Sequence, residues 1–177
     1  DGKPKYVTAL GAGNTPQSWR KSIVNGGILM DVQTNEFILE GLAMPHSPMI
    51  YNGDLYLLLS ATGELVKVNV EEKKYEVVKT FDAFVRGLDI HGDYAFIATS
   101  KLRQNSSTFA KLPFAQKASM AGIKVVHLPT AVLVGEFNYT ASVDEIYSLK
   151  ILKGTIRPNV LNTIDPIHKS ALSIPGQ

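Results

Sequence analysis

The chain has 177 residues, 45% of them hydrophobic, enough to build a core within one domain. Charged residues make up 19% with a net charge of +2, a balance that argues against a long disordered tail and against an electrostatic nucleic-acid binder. There is no cysteine, so no disulfide framework or Cys-based zinc site can form, and no apolar run reaches the about 18 residues of a membrane span.

Strand signals dominate. The opening "DGKPKYV" is not a signal peptide, and Asp1-Gly2 is a turn signal, so the chain is expected to start partway through a hairpin. "YLLLS", "LVKVNV", "YEVVKTF", "YAFIATS", "IKVVHL" and "VLVGEFNY" follow, short, β-branched or aromatic, and bounded by turn residues. In "LVKVNV", Val66, Val68 and Val70 fall on one face and Lys67 and Asn69 on the other. Only "FAKLPFAQKASMA" (109–121) suggests a helical turn or two.

The turns Asp1-Gly2, Asn52-Gly53, His91-Gly92 and Lys153-Gly154 each end one apolar run and precede another, the X-Gly signature of a tight hairpin. Gly53 to Gly92 spans 39 residues, whereas Gly2 to Gly53 spans 51 and Gly92 to Gly154 spans 62. The excess sits at one equivalent loop: Ala61-Thr62-Gly63 in the short unit, 16 residues from Gly11 to Gly26 in the first, and 23 from Ser100 to Gly122 in the third. Without it a unit of about 40 residues and four strands repeats, the mark of a β-propeller. A meander sandwich with a chance period is the alternative. About thirteen strands are legible, short of the roughly sixteen in a four-bladed ring. The expected fold is therefore all-β and propeller-like, a partial ring of about three to four four-stranded blades over residues 1–161. Residues 162–177 form a C-terminal tail. As a fragment or half-ring, it would close with further sequence or with another copy in a homo-oligomer.

Parity within an up-and-down blade places the candidate site. The X-Gly turns and the loops at "QTN", "EEKK" and "PTA" share one face. Both long insertions, and the crossovers "MPHSP", "FVRGL" and "SVDEIY" into the innermost strands, share the other. The prolines of "MPHSP" should stiffen the crossover and keep His46 and Ser47 out of helical geometry. His46, Arg86, and Asp144 or Glu145 are then expected at one channel mouth. Trp19 and Arg20 join them from the first insertion, and Lys101 and Arg103 from the second. An ion pair between Arg86 and Glu145 that merely caps the core is the plainer reading, with Trp19 as a lid over neighbouring strands. As a binding module the mouth would take a small polar or anionic ligand or a partner protein. As an enzyme it would use His46 as general base, Glu145 as its acid or orienting partner and Arg86 to stabilise negative charge. A scaffold that presents surfaces to partner proteins is a third reading.

Other motifs fail on spacing. In "GAGNTP" the third glycine of a dinucleotide loop would fall at Pro16, and no helix follows. No cofactor is implied. His91 and His127 point by parity to the opposite face and His168 lies in the tail, which argues against a three-His zinc site.

The strings "YVTALG", "GGILMDV", "MPHSP", "GDLYLLLSATGEL", "RGL", "SK-x-R" and "EIY" followed by "RP" resemble an uncharacterised bacterial family filed as a domain of unknown function. The resemblance runs from about residue 1 to residue 161 and implies a propeller-like fold, sometimes attached to tetratricopeptide repeats, with no established activity or cofactor. Its members carry "EEIYD" where this chain has Asp144-Glu145-Ile146-Tyr147-Ser148, so a role resting on an acid at 148 does not carry over.

Overall fold

A computed structural model describes residues 2–102, 108–112, 114–118, 120–156 and 164. Its strands are β1 (Tyr6–Ala9), β2 (Gly27–Asp31), β3 (Phe37–Leu42), β4 (Pro45–Tyr51), β5 (Asp54–Leu59), β6 (Glu64–Asn69), β7 (Lys74–Thr80), β8 (Phe84–His91), β9 (Tyr94–Ser100), β10 (Gly122–His127) and β11 (Val132–Asn138). They form three antiparallel sheets in which chain neighbours pair with one another. One sheet has three strands, β1-β2-β3, and the others have four, β4-β5-β6-β7 and β8-β9-β10-β11. The expectation of an all-β chain cut into successive meanders holds, and none of the sheets closes on itself.

The middle sheet is covered on both faces, which explains why "YLLLS" is apolar without interruption. Side chains alternate along a strand. On β5, Leu55, Leu57 and Leu59 enter a cluster with Leu29, Ile38 and Leu42 of the first sheet. Tyr56 and Leu58 enter a second cluster with Val85, Ile90 and Ile97 of the third. On β6, Val66 and Val68 are buried while Asn69 is exposed, as the period of two requires. The second insertion folds back over the first cluster through Leu102, Leu112, Phe114 and Ala118. Its described part is a run of turns, with Leu112 N–H donating to Phe109 C=O and Ala118 N–H to Phe114 C=O, the latter closing a single helical turn.

Two further expectations are corrected. The third hairpin turns at Gly92-Asp93 between His91 and Tyr94, one residue later than His91-Gly92. Gly92 takes the positive φ there, whereas Asn52 and Gly53 both take it in the preceding sheet. Residues 144–153 do not pair into a sheet of their own, so eleven strands stand among the described residues where about thirteen were expected. The strand expected in "TIRPNVL" lies mostly outside those residues.

The segment 144–151 lies beside β8, fastened by side chains. A Cβ added to Gly87 would come within 2.9 Å of Ser148 Cα, so only glycine allows this approach. Asp89, 3% exposed, accepts hydrogen bonds from the N–H groups of Ile151 (2.8 Å) and Ile90 (3.0 Å) and pairs with Lys150 Nζ at 3.1 Å. Burial alone would raise the Asp89 carboxyl, but these three donors outweigh it and hold the group below the usual carboxylate range. Its contribution to stability is therefore complete above the unfolded-chain value of about 3.9 and is lost as the pH falls through the lower folded value. Asp89→Asn should cost about 1–3 kcal/mol at pH 7 and flatten the acid limb of a urea-unfolding pH series; an unchanged acid limb would show that the carboxylate does not hold this segment.

Candidate functional site

Strand β4 of the second sheet lies beside β8 of the third, and serine hydroxyls link neighbouring sheets. Ser47 Oγ on β4 donates to the Arg86 carbonyl on β8 at 2.6 Å. Ser60, just after β5, donates to the Val85 carbonyl. Ser100, at the end of β9, repeats the device one unit later: its hydroxyl donates to the Ile146 carbonyl at 3.3 Å and accepts from the Ile146 N–H at 3.0 Å. These contacts bring the start of β4, the start of β8 and residues 145–148 together.

"MPHSP" is not a crossover loop. The turn between sheets is shorter, and β4 begins at Pro45, so His46 sits within the strand and pairs with Leu58. Nor is the motif simply extended. Met44 and Ser47 both take left-handed backbone angles, with φ of 54° and 53°. At Ser47 the register between β4 and β5 slips, and β8 slips in the same way beside Arg86. A left-handed residue immediately before a proline is costly, and such strain concentrates at sites where backbone geometry serves a ligand or an interface.

Arg86 stands as far before its hairpin turn as His46 does before Asn52-Gly53, so the two match, as the sequence reading expects. Counting back in the same way from Lys153-Gly154 reaches Tyr147, not Asp144 or Glu145. Tyr147 is the residue that the sequence reading missed, and this count would have found it. Its ring centroid lies 3.9 Å from Arg86 Cζ, and the Phe84 ring lies 6.0 Å away. The Tyr147 hydroxyl donates to the Glu145 carboxylate. Glu145 thus reaches the site through Tyr147, and the plainer reading of an Arg86–Glu145 ion pair is not what forms.

The polar atoms at the centre are not satisfied. His46 Nε2 and Arg86 Nε are buried and have no hydrogen-bond partner among the described residues. Burial, and then the nearby Arg86 charge, lower the His46 pKa to about 4. The imidazole is therefore neutral at physiological pH.

The other candidate residues surround this centre without entering it. Trp19 packs on the first core cluster, which also contains Phe84. Arg20 stacks on Trp19 at 4.9 Å and donates through Nη1 to Thr108 Oγ1 at 3.1 Å, which ties the first insertion to the second. Phe109 of the second insertion packs against Phe84 at 5.5 Å, beneath Arg86. Lys101 pairs with Asp144 at 3.5 Å, both exposed. Arg103 lies outside the described residues. His127 stacks near Tyr94 at 5.3 Å and His91 pairs with Tyr94 across the hairpin, at the far ends of these strands, as parity requires. Two open grooves of about 890 and 480 Å³ also lie at that far end; the first is lined by Gly53, Asp54 and Tyr75, the second by Asn52, Gly92 and Asp93, and neither by His46 or Arg86. Among the described residues no three His, Asp or Glu side chains converge on a point.

Residues 1–161 match the family described as "Domain of unknown function (DUF4915)", and the chain belongs to that family. Comparison with curated proteins gave no match.

The lowered His46 value sets an expected acid sensitivity. Because the folded value lies below the unfolded value of about 6.5, protonation favours the unfolded chain, and His46 destabilises the fold progressively as the pH falls from 6.5 through about 4. The His46 ring resonances should titrate near pH 4 in NMR, and Arg86→Leu should raise that midpoint while burial keeps it below 6.5. A wild-type midpoint near 6.5 would mean that the imidazole is solvated and outside the site.

Proposed function

We propose that this DUF4915 domain is a β-propeller-type binding module whose mouth, at the starts of the inner strands, takes a small polar or anionic ligand through His46, Arg86 and Tyr147. The single observation that carries this reading is the pair of buried, unpartnered atoms, His46 Nε2 and Arg86 Nε, on adjacent inner strands. Leaving a buried donor or acceptor unpaired costs about 1–3 kcal/mol, more beside a charge, so natural folds rarely do so without use. A ligand acceptor facing Arg86 would relieve the cost.

The propeller reading has its own support. The sheets follow one another in strand order. The hydroxyl bridges from Ser60 and Ser100 recur at equivalent places, and the inner strands of adjacent units meet at matching positions. A ring of radially arranged sheets needs such contacts, because inner strands cannot share a full backbone ladder.

Catalysis has less support than binding. A histidine whose value is about 4 is a weak general base at neutral pH. Ser47, the hydroxyl of the motif, is committed to the Arg86 carbonyl. Trp19, Arg20, Lys101 and Asp144 serve in this reading as the rim, holding the two insertions over the mouth.

A thermal-shift screen of small carboxylates and phosphates against the wild type and Arg86→Leu tests the reading. At least one anion should raise the wild-type Tm by about 2 °C or more and leave Arg86→Leu unmoved. Stabilisation that persists in the variant would place binding elsewhere, and turnover of any hit that is lost in His46→Ala would reinstate the catalytic reading.

A further inference from the structure

We propose that two copies of this chain close one ring, each lending residues 146–151 as the missing innermost strand of the other's first sheet. The proposal rests on the propeller reading of the units and uses no ligand at the mouth.

The first support is a pair of complementary gaps. Among the described residues the second and third sheets have four strands each, whereas the first has three, β1-β2-β3. Strand β3 leads into β4 as β7 leads into β8, so the strand lacking from the first sheet is the innermost one, at the free edge of β1. Val32 N–H donates to the Lys5 carbonyl at 2.8 Å. By alternation Lys5 and Val7 turn their backbone groups to β2, while Tyr6 and Thr8 turn theirs to the free edge. Residues 146–151 are the reverse case. Tyr147 stands in the register of His46 and Arg86, and Ser100 binds the Ile146 carbonyl as Ser60 binds that of Val85. Yet the segment joins no sheet among the described residues. The two gaps cannot meet within one chain, because the second sheet carries the first on one face and the third on the other.

The second support is a pair of uncovered apolar faces. Across the first sheet, Val7, Met30 and Phe37 form a row turned away from Leu29 and the core, with Val7 45% and Phe37 37% exposed. Across the third, Ala98, Ile123 and Phe137 form a row turned away from Ile97 and Val126, with Phe137 55% exposed. Gly87 pairs with Ala98 and faces Ser148, so residues 146–151 lie at the β8 end of that same row. A first sheet joined to them would cover the remainder. Apolar stacking already joins the first sheet to the second and the second to the third, and the new junction continues it. Two copies supply six sheets, within the roughly four to eight blades of a closed propeller.

Sedimentation equilibrium of the 177-residue chain tests this. The wild type should sediment at twice its 19.3 kDa mass. Val7→Asp on the accepting sheet and Phe137→Asp on the donating side should each be monomeric. Both positions are exposed, so both variants should fold. Mixed in equal amounts, the two variants should form a dimer again, held by the one junction whose faces are both wild type; unfolded variants would not do this. A wild type still monomeric at about 100 µM would overturn the second copy and leave the propeller reading standing. If only one of the two substitutions disperses the dimer, a sheet packs on its own copy, which no ring of successive sheets contains, and both readings fall. Dimers in both variants, or a mixture that stays monomeric, would overturn the head-to-tail contact.

Discussion

The contacts of β8 with β4 on one side and with residues 144–151 on the other are the constraint on which the rest of the structure depends. Sheets that pack face to face bury their apolar sides, and the two clusters either side of β5 do so here. Strands β4 and β8 meet differently: they belong to separate sheets and share no backbone ladder. Serine hydroxyls at 47, 60 and 100 and the Asp89 carboxylate supply the missing partners, each reaching the backbone of the next unit. Gly87 removes the side chain that would hold the strands apart. These few polar contacts set the spacing between His46, Arg86 and Tyr147, because each of those residues lies within a residue or two of one.

Much of this was legible in the chain. The short β-branched and aromatic runs marked the strands, and the Asn52-Gly53 turn falls where the sequence placed it, between β4 and β5. The two long loops also touch, since Arg20 of one donates to Thr108 of the other. What sequence could not show was how two-residue turns sit around their glycines. His91-Gly92 and Asn52-Gly53 look alike, yet the glycine occupies different places in the two turns.

The same limitation explains the error at the third position. Charged residues attract attention in a search for sites, and Asp144 and Glu145 stood close to the expected register. Register, not charge, decides which side chain reaches the centre, and it places Tyr147 there. An aromatic ring suits that place because a neighbouring guanidinium can stack on it without becoming neutralised. Glu145 is used one step out, at the tyrosine hydroxyl. Prolines likewise suggested an extended crossover, whereas they flank a bulge in which Ser47 is left-handed and its hydroxyl points at the next strand.

The contrast between Asp89 and Arg86 sharpens the functional argument. They lie three residues apart on β8, both turned toward the segment 144–151, and both bring charge into a poorly solvated place. Asp89 receives two backbone N–H groups and an ammonium. Its environment is that of a structural clamp, and nothing remains for a ligand to supply. Arg86 receives two aromatic rings, which steady its plane but accept none of its in-plane hydrogen bonds. The Tyr147 ring that stacks on the guanidinium also donates its hydroxyl to the Glu145 carboxylate, so the stacking partner is itself held in place.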